Sequence, residues 1–147
     1  MSCMFRIAGA KLDVDGLLAA VSLPSTMSFR KGEPRLKTRP NGKRNKDSGA
    51  AFLVSDADFD QFEKQKRDAI GFLKTHKTVI RRIMNWRGVD GGELAFGVEQ
   101  RDVIVQCDYF PAELLRLAGG LGLDIEISLY PPFEEKKNRK KPTTPRT

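Results

Sequence analysis

Leu123-Asp124-Ile125-Glu126-Ile127-Ser128-Leu129-Tyr130 decides how this chain folds. Apolar and polar residues alternate through it, the period of a β-strand with one covered face. The spacing predicts Leu123, Ile125, Ile127 and Leu129 inward and Asp124, Glu126, Ser128 and Tyr130 outward, with Pro131-Pro132 ending the strand. A sheet covered on both faces needs near-continuous apolar strands, so this one keeps an open face.

Working upstream, Pro111 opens a helix filled by Leu114, Leu115, Leu117 and Ala118, which Gly119-Gly120 stops. Before it, Glu93–Glu99 reads as a strand with Leu94, Phe96 and Val98 inside. Val103–Asp108 reads as its hairpin partner across Gln100-Arg101-Asp102, with Cys107 pointing inward. The stretch from Asp58 to Arg87 is helical, with Asp58 as the expected N-cap. The apolar stripe Phe59, Phe62, Ala69, Ile70 and Leu73 is followed by a second one, Val79, Ile80, Ile83 and Met84. An unbroken helix there would run about 45 Å, so a break is expected between Gly71 and His76.

Near the start, Met4–Ile7 is a strand and Leu12–Val21 a helix capped by Asp13. Met27–Lys31 is a short edge strand, and Ala50–Ser55 a central one with apolar residues on both faces. The expected fold is α+β: a mostly antiparallel sheet of five or six strands with helices on one face, ferredoxin-like in flavour. One domain is expected over residues 1–132, interrupted by a basic loop at 30–48 and followed by a basic, flexible tail at 133–147.

Charge is laid out unevenly. The chain has 147 residues and a formal net charge of +7. Of its 26 basic residues, eight fall in 30–46 and six in 134–147; of its 19 acidic residues, only one and two do. The remaining chain is net acidic, at −4. Neither basic segment has apolar periodicity, so each reads as solvated chain or as a phosphate-binding arm. Neither interleaves aromatics with its cations, so stacking on bases is not supported.

Several function classes are set aside. No run of about 18 apolar residues exists, so no membrane partner is expected. Nor does the start read as a secretory signal. Two cysteines and one histidine make neither a disulfide framework nor a four-ligand zinc site, which suits a cytoplasmic protein with free thiols and no cofactor. His76 stands alone among Lys74, Thr75, Lys77 and Thr78, with no partner for nucleophilic catalysis. The glycines of Gly88-Val89-Asp90-Gly91-Gly92 enter a strand, and those of Gly119-Gly120-Leu121-Gly122 follow a helix. Neither set cradles phosphate. Asp124 and Glu126 share a strand face at roughly 6.5–7 Å, a spacing that suits glycosidase or metal chemistry. Outward carboxylates on an exposed sheet are more simply solvated surface.

Certain segments carry a resemblance. Phe5-Arg6-Ile7-Ala8-Gly9 is followed by Leu12-Asp13, Leu23-Pro24-Ser25 and Arg30-Lys31-Gly32-Glu33. Phe110-Pro111-Ala112-Glu113-Leu114-Leu115 then precedes Leu121-Gly122-Leu123-Asp124-Ile125-Glu126-Ile127 and Tyr130. Over residues 4–132 the chain resembles the bacterial family catalogued as domain of unknown function 4279. The resemblance implies a small soluble α+β domain of the kind found among immunity proteins beside toxin genes. It carries over no catalytic residue, and the basic loop and tail depart from its pattern.

Two readings of function follow. The first is a non-enzymatic protein-binding module, most concretely an immunity protein that occludes a toxin, with Glu93, Glu99, Asp124, Glu126 and Tyr130 as the outward-facing contact residues. An acidic face of this kind attracts a basic partner. The second is nucleic-acid binding through Arg30, Lys31, Arg35, Lys37, Arg39, Lys43, Arg44 and Lys46 in the loop. The helical stripe Lys74, Lys77 and Arg81 and the tail would support it.

Overall fold

The alternating strand near the end of the sequence forms one edge of a five-stranded sheet. In the computed structural model, which describes residues 1–132, the elements run β1 (Cys3–Gly9), α1 (Val14–Ala20), β2 (Met27–Phe29), β3 (Ser48–Ser55), α2 (Phe62–Thr75), α3 (Lys77–Met84), β4 (Gly91–Glu99), α4 (Ala112–Gly120) and β5 (Leu123–Tyr130). The expected basic tail lies outside the described residues. Strand order is β2-β3-β1-β4-β5. β1 is antiparallel to both of its neighbours, β2 is antiparallel to β3, and β5 is parallel to β4. The sheet is α+β and mixed. The ferredoxin-like flavour is present in the run β1-α1-β2-β3-α2-α3-β4, whose strands pair antiparallel in the order β2-β3-β1-β4, and α4 with the parallel β5 is added at its edge.

One apolar cluster joins the helices to one face of the sheet. Phe5 and Ile7 of β1, Phe52 of β3 and Leu94, Phe96 and Val98 of β4 meet Leu17, Leu73, Ile80, Ile83 and Leu114 from the four helices. Phe5 stacks on Phe52 at 5.4 Å, and Phe62 meets Phe96 and Phe110 edge-on. The alternate residues, among them Arg6, Leu53, Glu93, Asp124 and Glu126, face away from the helices, so the open face read from β5 is present.

Local chemistry sets the element ends. Asp13 caps α1, its Oδ1 accepting from the Gly16 amide at 3.1 Å. The expected break in the long helix falls at His76, which ends α2 and begins α3. α4 follows Pro111 as expected and closes at Leu121, after which Gly122 takes φ +75°, a turn that glycine makes without strain. Helix α2 starts later than expected. Gln61, not Asp58, precedes its first turn, and Phe59 lies outside it.

Two expectations fail together. Residues 103–108 form no strand, and Cys107 is exposed. The segment is instead the first part of a crossover, because β4 takes β5 as a parallel neighbour and parallel strands need a long connection. Val103, Ile104, Val105 and Tyr109 therefore face solvent. Gln106 shapes the loop, accepting from the Arg101 amide at 2.8 Å and donating to the Glu99 carbonyl at 3.2 Å. Lys66, only 3% exposed, holds it to α2. Its Nζ donates to the Tyr109 carbonyl and to Glu63, each at 2.8 Å, and sits over the Phe62 and Tyr109 rings.

The inward pattern of β5 is kept by Leu123 and Ile125 only; Ile127 and Leu129 are 45% and 55% exposed. Length explains it. Nine residues of α4 cover about 13 Å and eight residues of β5 extend about 26 Å, so the helix runs out halfway along the strand.

Replacing Lys66 with Met should keep the packing volume but orphan the Tyr109 carbonyl. A stability loss of about 1–3 kcal/mol is expected in urea unfolding, with faster tryptic cleavage at Arg101. Unchanged cleavage would show that the loop does not depend on this side chain.

Candidate functional site

The open face is low in its middle and acidic toward β5. Its central positions are small: Ala8 on β1, Gly49 and Ala51 on β3, Ala95 and Gly97 on β4. Cross-strand register then sets Arg6 opposite Glu93, Glu93 opposite Asp124, and Ala95 opposite Glu126. Three of the five expected partner-binding residues, Glu93, Asp124 and Glu126, thus converge. The Arg6 guanidinium reaches both Glu93 at 3.6 Å and Glu126 at 3.5 Å. One cation pairs with two glutamates, and Asp124 stands across from Glu93 on the same face. Partial burial raises the Glu93 carboxyl above the usual glutamate range, and the neighbouring Glu126 and Asp124 push it further, against Arg6.

Glu99 and Tyr130, also in register with each other, sit at the far end of the same face. They border a cleft of about 830 Å³ that Asp56, Asp58, Phe59, Asp60, Pro131 and Pro132 also line. Phe59 and Tyr130 stack with centroids 4.9 Å apart and planes 17° from parallel. Gly97 makes room for them: a Cβ there would lie 2.6 Å from Phe59 Cε1 and 3.2 Å from Tyr130 Cε2. The segment that carries Phe59 is held from beneath by Gln65, which is fully buried. Its Nε2 donates to the Gly97 carbonyl at 2.8 Å and to the Asp58 carbonyl at 3.2 Å. The Glu99 amide donates to the Phe59 carbonyl at 3.0 Å.

Sequence reasoning missed the Asp56–Asp60 wall of this cleft, because Asp58 and Phe59 were assigned to a helix. A signal was available: aspartates at 56, 58 and 60 recur every second residue, an extended period rather than a helical one.

The basic loop is an ordered arm. Pro34 bridges Arg44, the Arg35 amide donates to the Lys43 carbonyl at 2.9 Å, and the Asn45 amide to the Glu33 carbonyl at 2.8 Å. Lys31, Lys37, Arg39, Lys43 and Lys46 extend from it into solvent. Two of its cations are engaged. Arg30 makes a two-pronged ion pair with Asp15, which lowers the Asp15 pKa and raises its own, and Arg44 donates to the Gly32 carbonyl at 2.6 Å. The stripe Lys74, Lys77 and Arg81 is divided by the break at His76, and Lys74 pairs with Glu113 of α4. Among the described residues, no hydrogen bond or ion pair joins this stripe to the arm.

Cys3 lies in the core, where burial, and then the Asp68 charge, push its thiol well above the ordinary range. Among the described residues, no group of three or more His, Cys, Asp or Glu is placed to hold a metal, and no helix is long and apolar enough to cross a membrane.

Compared with known proteins, the chain matches no family model, no curated protein and no solved structure.

Gly97→Ala is expected to displace the Phe59 ring from Tyr130 and to cost about 1–3 kcal/mol, as overfilled sites do. Loss of the upfield ring-current shifts of both aromatics in proton NMR would register it. A spectrum superimposable on the parent would show that the stack does not need this glycine.

Proposed function

We propose that the chain is a protein-binding module that captures a basic partner on the helix-free face of its sheet. The observation that carries this reading is the clustering of Glu93, Asp124 and Glu126 on an uncovered face where a single guanidinium, that of Arg6, pairs with the two glutamates. Surplus carboxylates there would complete their pairing with cations from outside. The acidic cleft and the Phe59–Tyr130 stack extend the same face, giving an apolar anchor beside the charge. A toxin neutralised by occlusion is the particular partner that the family resemblance favours, the chain then acting as its immunity protein in the cytoplasm, without catalysis of its own.

Proton linkage gives this reading a sign. The folded-state pKa of Glu93 is raised, so the free protein binds a proton there more tightly than the unfolded chain does. Its contribution to stability is present below the unfolded pKa and is lost as pH rises through the folded one. A cationic partner acts oppositely, favouring the ionised carboxylate. Docking should therefore release a proton, and affinity should climb with pH through the raised Glu93 pKa and then level off.

Co-expression with the product of an adjacent toxin gene tests the function. The parent chain is expected to relieve toxicity, and the triple variant Glu93→Gln, Asp124→Asn, Glu126→Gln to lose relief while staying folded by circular dichroism. In calorimetry the single variant Glu93→Gln should flatten the pH slope. Full protection by the triple variant would remove the acidic face from the mechanism.

A second reading rests on the ordered arm, whose exposed cations suit phosphate contacts. It expects binding to DNA or RNA that falls steeply with salt and drops further when Lys37, Arg39 and Lys43 become Ala. Absence of binding at low ionic strength would discard it.

A further inference from the structure

The two edges of the sheet are built differently. β2 has three residues and leads directly into the basic arm. β5 has eight, in unbroken register with β4, and contains no Pro, Gly, Lys or Arg. Short length, bulges, prolines and charged side chains, lysine above all, keep sheet edges from pairing. β2 is short, whereas β5 is long and has no bulge, proline or lysine, and its two charges, Asp124 and Glu126, both lie on the open face. Among the described residues, nothing pairs with the outer edge of β5.

We propose that β5 pairs antiparallel with β5 of a second copy of this chain, about a two-fold axis at Ile127. The backbone selects that register. The Tyr130 carbonyl accepts from Gln100, at the end of β4, so Tyr130 and the alternate residues Ser128, Glu126 and Asp124 direct their polar backbone groups toward β4. Leu123, Ile125, Ile127 and Leu129 then present theirs to the open edge. Antiparallel strands bond through pairs of such residues facing each other, so the two-fold axis falls on a residue of β5; at Glu126 it would set that carboxylate against its own copy, and at Ser128 it would pair only Glu126–Tyr130. An axis at Ile125 would set Asp124 directly opposite Glu126 of the second copy, a repulsive pair. Axes at Leu123 or Leu129 would leave half of β5 unpaired. At Ile127 the whole of Asp124–Tyr130 pairs. Ile127 meets its own counterpart, Ile125 meets Leu129, Glu126 meets Ser128 and Asp124 meets Tyr130. Each carboxylate faces a hydroxyl. Ile127 and Leu129, which α4 leaves exposed, gain apolar neighbours.

The pairing keeps both helix layers on one side and both acidic strips on the other, so the open face remains available. The inference goes beyond the partner-binding reading and does not depend on it.

Sedimentation equilibrium of the full chain is expected to give a dimer, and Ile127→Lys to raise its dissociation constant by about tenfold or more, by placing two ammonium groups face to face. Cysteine pairing tests the register independently of that variant's folding. In a Cys107→Ser background, Ile127→Cys should form a disulfide with itself on mild oxidation, since facing Cα atoms of a bonded pair lie about 5.5 Å apart. Leu129→Cys alone should not, whereas Leu129→Cys mixed with Ile125→Cys should. A monomeric parent chain, or self-crosslinking of Leu129→Cys as readily as of Ile127→Cys, overturns the proposal.

Discussion

The parallel pairing of β4 with β5 is the constraint from which the rest of the molecule follows. Antiparallel neighbours can be joined by a tight turn, but a parallel neighbour obliges the chain to travel back along the sheet before it can enter. Residues 100–122 make that return, and α4 is its load of apolar side chains. This places β5 outermost, gives it a single helix as cover, and brings the ends of both strands to the same side of the molecule. The crossover loop, the Phe59–Tyr130 stack and the acidic cleft all stand at that end. Lys66 and Gln65, one turn of α2, attach the two irregular segments there by donating to the backbone carbonyls of Tyr109, Asp58 and Gly97. Both are buried polar groups on a helix whose other inward residues are apolar, and each is explained by the loop it holds rather than by the core.

Most of the fold was legible because most of it obeys one periodicity at a time. Asp13 as a cap, the break before His76, and the strands β1, β3 and β4 follow from residues whose local preference and tertiary placement agree. The failures share a cause. Val103-Ile104-Val105 has strong strand propensity but no free sheet position, since β1 and β5 already flank β4. Tertiary pairing overrode propensity, and three β-branched residues were left in solvent. Ile127 and Leu129 alternate correctly, yet alternation reports which side of a strand a residue faces and not how far along it the covering helix extends. Of the candidate site, the outward direction of Glu93, Glu99, Asp124, Glu126 and Tyr130 was legible. Their division into a carboxylate trio, two of whose members pair with Arg6, and a separate cleft was not, because both depend on which strand lies next to which.

The segregation of charge across the sheet also has a physical consequence. The basic arm extends from the β2 edge and the acidic strip lies over β4 and β5. Four strand spacings, about 19 Å, separate the two edges, more than twice the roughly 8 Å over which salt screens exposed charge. Each edge therefore behaves electrostatically on its own terms, and a net charge of +7 describes neither. A cationic partner is steered to one edge and a polyanion to the other. Association of two copies is least opposed where the local field is not positive, which is the β5 edge. Joined there, the arms lie at opposite ends of the combined sheet, about nine strand spacings or 43 Å apart, where their mutual repulsion is screened away. Joined at β2, the arms of both copies would meet. The same asymmetry that makes β2 short and basic thus leaves β5 as the edge at which this chain can extend its sheet.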